Sequence, residues 1–178
     1  MTYKDEIIKA MHLLAKDKRA IFLGQSVAYT GSAIYGTCKE IPNSKKIELP
    51  LVEDMQMGMS IGLSLEGFIP VSIYPRFDFL IIATNQLVNH LDKLIDMSVG
   101  RYTPKVIIRT VVGSTKPLYP GEQHCSDYTD AYRCMLKNVE VIKLTKSKDI
   151  VPSYKHALER KDGKSTLLIE VSDLYPKK

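Results

Sequence analysis

Two adjacent carboxylates, Glu53 and Asp54, stand between the strand-like run KIELP and an apolar, helix-patterned stretch that carries Gly58 and Gly62. In the first turn of a helix such acids serve the macrodipole, each for roughly 0.3–1 kcal/mol, and taken alone that accounts for both. A carboxyl group entering a buried face can also share a proton with a ligand. Pro50 suits the close of a strand because its ring fixes φ. Glycines four residues apart leave one helix stripe bare, so that a backbone, a second subunit or a flat ligand can approach. Further along, His124 lies in the polar run GEQHCS. An imidazole on a loop after a strand can donate or accept a proton near neutral pH, and the same residue also fits an ordinary surface loop. Phe77 and Phe79, in PRFDF, offer flat apolar faces, whose commoner fate is the core.

Other chemistries lack their residues. Cys38, Cys125 and Cys134 are odd in number and widely spaced, which matches neither a disulfide framework nor a zinc pattern and points to reduced thiols. No Gly-rich phosphate loop or dinucleotide fingerprint occurs. The net charge of +5 is scattered along the chain, with short pairs only at Lys45-Lys46 and Lys177-Lys178. A solvated basic surface is expected, with no nucleic-acid partner. The N-terminal MTYKDEIIKAMHLLAKDKR has charges throughout, and no run approaches the ~18 apolar residues of a membrane span. A cytoplasmic protein with no membrane contact is therefore expected.

The elements that must position these residues can be read from periodicity. A chain of 178 residues, 44% hydrophobic, suits one domain over residues 1–178 that buries roughly two-thirds of its unfolded surface. YKDEIIKAMHLLAK has the three-and-four spacing of an amphipathic helix, and AIFLG reads as a short buried strand. The Gly-, Ser- and Thr-rich segment after it reads as a loop with room for one helical turn. Next come strand KIEL, a helix over 53–66, strand FIPVSIY and one long helix from Phe79 to Gly100. Strand KVIIRTVV, the polar loop GSTKPLYPGEQHCS, a short helix from about Asp127 to Leu136, strand VEVIKL, helix SKDIVPSYKHALERK and strand TLLIEV complete the chain. This alternation predicts an α/β fold, three-layer α/β/α with a mostly parallel sheet. Sites in such folds lie at the carboxyl ends of strands. The loop after AIFLG, Glu53 after KIELP, and GEQHCS after KVIIRTVV all fall there.

The ordered set ELPLVEDMQMGMSIGLSLEGFIPVSIYPRFDF, NQLVNHLDKL, DMSVG, VIIR and GEQHCSDYTDAYR, within about Ala20 to Tyr175, resembles the pyrimidine-binding domain of thiamine diphosphate enzymes. The likeness is to the beta subunit of the decarboxylating component of 2-oxo acid dehydrogenases and, more distantly, to the middle domain of transketolase. Order rather than any one motif carries it. The resemblance implies the thiamine diphosphate-binding fold. It also implies that Glu53 hydrogen-bonds N1′ of the cofactor's aminopyrimidine, favouring the 4′-imino tautomer that removes the C2 proton of the thiazolium. Phe79 is then the aromatic that stacks on the pyrimidine, with Phe77 as the alternative if the register shifts by two. His124 matches the His of the beta subunits' QHS, near the thiazolium and the substrate. Cys125 stands where the family commonly has Ser, and Val52 replaces a common Ser before the Glu. His90 falls on a helix that in the family packs against a partner subunit, while His12 and His156 lie on amphipathic helices and are expected at the surface. Met55, Met57 and Met59 need no role beyond gap filling.

One half of such a site is missing. Thiamine diphosphate enzymes hold the diphosphate through Mg²⁺ with a GDG segment followed by Asn, and KDGK near the C-terminus lacks the first Gly. The resemblance therefore implies a diphosphate-binding, alpha-type partner that carries Mg²⁺, in a heterotetramer with a homodimeric contact. The chemistry implied is attack on the carbonyl of a 2-oxo acid or ketose, followed by loss of carbon dioxide or carbon–carbon cleavage. TLLIEVSDLYPKK resembles the last strand of the domain and the start of the linker to a C-terminal domain that the beta subunits have and this chain lacks. That favours a small split transketolase-like or acyloin-forming enzyme. A non-catalytic interaction module that keeps the fold is the alternative; a flavodoxin-like protein would need a phosphate or flavin loop.

Overall fold

The computed structural model describes residues 2–116 and 119–175. Pro117 and Leu118 of the polar loop and the Lys177-Lys178 pair lie outside the described residues. Helix α1 (Tyr3–Ala15) opens with a capping box: Thr2 Oγ1 accepts the Asp5 N–H and the Asp5 carboxylate accepts the Thr2 N–H. Strands β1 (Ala20–Gly24), β2 (Lys46–Glu48), β3 (Ile69–Tyr74), β4 (Ile107–Val112), β5 (Val139–Lys143) and β6 (Ser165–Val171) form one sheet in the order β2-β1-β3-β4-β6-β5. Every pairing is parallel, so the sheet is wholly rather than mostly parallel.

Period-two alternation divides the core between the two faces. Phe22, Val71, Ile73, Ile107 and Leu168 pack with Ile7, Met11 and Leu14 of α1 and with Ile150 and Tyr154 of α7 (Ser147–Glu159). On the other face Tyr74, Ile108, Leu167 and Ile169 pack with Met57 of α3 (Glu53–Leu65), Phe77, Leu87 and Tyr132 of α6 (Thr129–Met135). Burial on both faces is why the strands read as unbroken apolar runs. Because β1 leads outward to β2 while β3 lies on its other flank, the strand order reverses between β1 and β3, and their carboxyl ends border a crevice.

The helical turn expected in the loop after β1 is the six-residue helix α2 (Ala33–Cys38), whose Ser32 cap accepts the Tyr35 N–H and whose Ile34 and Cys38 are buried. Another expectation needs correction. The single helix from Phe79 to Gly100 is broken into α4 (Phe77–Leu80), a 3₁₀ turn at Ile81–Ala83, a π-helical segment at Gln86–Leu91 and α5 (Leu94–Met97). The extra residue of a π turn rotates the chain beyond it. Here it brings the nearly buried Asp92 against the start of β5, where its carboxylate accepts the N–H groups of Lys137, Asn138 and Val139 at 2.7–3.2 Å. Among the described residues, no helix is long and apolar enough to cross a membrane.

Candidate active site

The site begins with how closely β1, β3 and α3 approach. Gly24 has φ +144, and a Cβ there would come 2.2 Å from the Ile73 carbonyl oxygen, so only glycine lets the strand ends meet. Buried Gln56 then pins α3 across them, Nε2 donating to the Ile73 carbonyl at 3.0 Å and to Ser72 Oγ at 3.1 Å. The start of α3 is thereby fixed. Glu53, its first residue, is only 8% exposed, and its carboxylate has no hydrogen-bond or ion-pair partner among the described residues. Its carbonyl accepts from Tyr74 Oη at 3.4 Å. Burial pushes the Tyr74 phenol far up, the Ser72 hydroxyl opposes this and the charge of Glu53 adds to it, so the phenol stays protonated.

The two phenylalanines of PRFDF part company. Phe77 is fully buried, stacked on Tyr132 with ring centroids 5.3 Å apart and edge-on to Tyr128. Phe79 instead meets His124 edge-on, centroids 5.5 Å apart at 89°. His124 is placed there by Gly113, at the end of β4, where a Cβ would lie 1.6 Å from the His124 carbonyl oxygen. The turn Glu122–His124 thus crosses directly over the strand end, and Cys125 Sγ ties it down by donating to the Ser114 carbonyl at 3.2 Å. His124 Nδ1 is buried with no partner. Phe79 and His124 line a cavity of about 450 Å³ with Asp78, Ile81, Ser126 and Tyr128. Phe79 also borders a second cavity of about 370 Å³, walled by Gln25, Ser32, Arg76, Val111 and Tyr175. Glu53 lines neither, and no hydrogen bond or ring contact links it to the Phe79–His124 pair among the described residues.

Sequence reasoning passed over two supports of this region. The Glu48 carboxylate accepts three successive N–H groups, Ser26 at 2.6 Å, Val27 at 2.8 Å and Ala28 at 2.7 Å, and so holds the loop after β1, where Ser26 takes φ +62. Below the second cavity, fully buried Arg109 and Glu170 form a bidentate pair at 2.7 and 3.0 Å, with the hydroxyls of Tyr154 and Tyr175 donating to the same carboxylate. Burial opposes the Arg109 charge, but Glu170 holds the guanidinium well above its ordinary range. The one signal for this pair was a charge inside each of two otherwise apolar strands.

The remaining candidates lie elsewhere. His90 is exposed, His12 pairs with Glu40 at 3.1 Å and His156 with Glu140 at 2.9 Å. Exposed Tyr119 hydrogen-bonds Glu122, which with some burial holds its phenol up at about 12. Among the described residues, no group of three or more His, Cys, Asp or Glu is placed to hold a metal ion. By residue type the groups suit an aminopyrimidine, a carboxylate lacking a donor, an aromatic face and an imidazole, with Phe79 and His124 in contact and Glu53 apart from them.

No protein-family model matches the chain. It is 26% identical over 136 residues to the mitochondrial pyruvate dehydrogenase E1 component subunit beta of Caenorhabditis elegans, covering 74% of this chain and 38% of that one. It is also 26% identical over 165 residues to the 3-methyl-2-oxobutanoate dehydrogenase subunit beta of Mycobacterium tuberculosis, covering 89% and 46%. The chain thus spans less than half the length of these curated relatives. Among solved structures, a split-gene transketolase described as an inactive beta4 tetramer superposes with TM-score 0.75 at 16% identity, over 99% of this chain and 53% of that one. Transketolase from Campylobacter jejuni gives TM-score 0.73 at 13% identity, over 95% and 25%. The fold is the α/β fold shared with transketolase. The chain is a distant homologue of 2-oxo acid dehydrogenase beta subunits, consistent with the pyrimidine-binding domain of thiamine diphosphate enzymes.

Proposed function

We propose that residues 1–178 form the pyrimidine-binding part of a two-chain thiamine diphosphate enzyme, completed by an alpha-type subunit that holds the diphosphate and Mg²⁺. The observation that carries this reading is Glu53: the residue is 8% exposed at the head of α3, and its carboxylate has no hydrogen-bond donor among the described residues, which leaves it open to a ligand that brings one. Glu53 shares a proton with N1′ of the aminopyrimidine. Phe79 gives that ring an apolar face, contributing roughly 0.5–1.5 kcal/mol beyond area burial. His124, in contact with Phe79, exchanges a proton with the substrate. When bound, thiamine diphosphate supplies a nucleophilic carbon for a substrate carbonyl, with carbon dioxide loss or carbon–carbon cleavage to follow. The substrate is a 2-oxo acid or a ketose, and the assembly is a cytoplasmic heterotetramer with a homodimeric contact. A solved relative in fold is described as an inactive beta4 tetramer, which supports reading this chain as inactive when alone.

Affinity capture of the tagged chain from its own cell extract, with thiamine diphosphate and Mg²⁺ present, tests the composite site. A stoichiometric partner that contains a GDG…Asn segment is expected. Recovery of the chain alone, without cofactor, would instead favour a non-catalytic module.

A further inference from the structure

The polar loop after β4 is held by a residue far along the chain. Asp173, in the turn Ser172–Leu174 beyond β6, accepts the N–H groups of Thr115 at 2.9 Å and Lys116 at 3.4 Å on Oδ1, and the Thr115 hydroxyl at 2.8 Å on Oδ2. These bonds reach back 57 and 58 residues, so they do not serve the turn in which Asp173 lies. Slight burial raises the Asp173 carboxyl, but the Thr115 and Lys116 donors outweigh it and hold the group below its ordinary value. The turn has a firm base. Tyr175 donates to the buried Glu170 carboxylate, which is paired with Arg109, and its ring lies 5.5 Å from that of Tyr3.

The loop held in this way supports His124. Ser114, next to the clamped Thr115, accepts the Cys125 Sγ hydrogen bond at 3.2 Å. Gly113 lies so close beneath the His124 carbonyl that a Cβ there would stand 1.6 Å from its oxygen. A shift of residues 113–116 therefore moves the turn Glu122–His124, whose imidazole meets Phe79 edge-on at 5.5 Å. Among the described residues, Asp173 is the one side chain from outside residues 113–125 that hydrogen-bonds Ser114, Thr115 or Lys116.

We infer that Asp173 is the positioning residue of the His124 loop: its carboxylate fixes residues 114–116 beyond the end of β4 and so keeps the imidazole against Phe79. The catalytic meaning rests on the proposed proton-handling role of His124; the clamp itself does not.

Nuclear magnetic resonance on the full chain tests this without partner, cofactor or turnover. In the wild type the Thr115 amide should exchange with solvent at least about tenfold more slowly than an unprotected amide. The ring protons of Phe79 and His124 should also give a nuclear Overhauser cross-peak. In Asp173→Ala that protection and that cross-peak are expected to be lost while exchange across the sheet stays unchanged. Both return in Asp173→Asn, whose amide oxygen accepts the two N–H groups and whose NH₂ donates to the Thr115 hydroxyl. A cross-peak that persists in folded Asp173→Ala overturns the inference. So does a wild-type Thr115 amide that exchanges at the unprotected rate, whether or not the variant folds. If exchange and cross-peak behave as expected while His124→Gln leaves the turnover of the reconstituted enzyme untouched, the positioning stands and the proton-handling role falls.

Discussion

In the proposed reading Glu53 is the residue on which the chemistry turns, because its carboxylate has no donor among the described residues. Glu53→Gln keeps the size and the hydrogen bonding but not the proton sharing. Turnover of the reconstituted enzyme should fall about 10²–10⁴-fold while the thermal midpoint of the chain barely moves. The two phenylalanines should separate by assay. Phe79→Ala weakens cofactor binding roughly two- to tenfold in titration calorimetry, whereas Phe77→Ala acts on stability, by about 3–5 kcal/mol in denaturant unfolding. Equal effects of the two on binding would reverse the assignment. Glu53, Phe79 and His124 are named from residue type and order along the chain; the structure sets Phe79 against His124 and Glu53 apart from both. Phe77 and Phe79 could not be separated in the sequence, since two residues of register interchange them. Glu48 was not legible at all, as its role depends on atoms that lie across space.

At the scale of elements, glycines and short turns decide where the site residues point. Gly113→Ala would place a Cβ within 1.6 Å of the His124 carbonyl oxygen, so the turn Glu122–His124 must move. The expected outcome is roughly 1–3 kcal/mol of lost stability, measured by denaturant unfolding, together with loss of turnover. Glu48→Gln loosens the loop after β1, and faster hydrogen exchange at the Ser26, Val27 and Ala28 amides, with little change in the sheet, is the readout. Unchanged exchange there would remove Glu48 from the positioning role. The strands and the longer helices around the site were legible, but the breaks within residues 77–97 were not. A π turn preserves the apolar spacing closely enough to imitate one long helix, and the contact that goes with it, the Asp92 carboxylate meeting the start of β5, is non-local. For α2 the room for a helical turn was legible, but the Gly, Ser and Thr around Ile34 and Cys38 left its bounds open.

Across the whole molecule, the class of fold was legible because parallel strands buried on both faces read as apolar runs between amphipathic helices. The order β2-β1-β3-β4-β6-β5 was not, since nothing local in a parallel strand names its neighbour. The Arg109–Glu170 pair joins the neighbouring strands β4 and β6 within the sheet. Glu170→Gln leaves the guanidinium buried and uncompensated, so a loss of about 3–5 kcal/mol is expected in denaturant unfolding. Acid should also destabilise the chain. The Arg19 hydrogen bond holds Asp17 down to about 2, and Arg160 holds Asp162 well below the ordinary carboxylate value of 3.8. Folded-state values lie below the unfolded ones, so this stabilisation is present above about pH 4 and lost as pH falls through the folded values. A thermal midpoint that drops on acidification through that window is the expected observation.

The central claim is that Glu53 activates a cofactor whose other half is held by a second chain. Its most direct test is the rate of C2 proton exchange on thiamine diphosphate bound to the complex recovered with the diphosphate-binding partner, wild type against Glu53→Gln. Exchange about 10²–10⁴-fold slower in Glu53→Gln is the predicted result; equal rates with cofactor bound in both would contradict the claim.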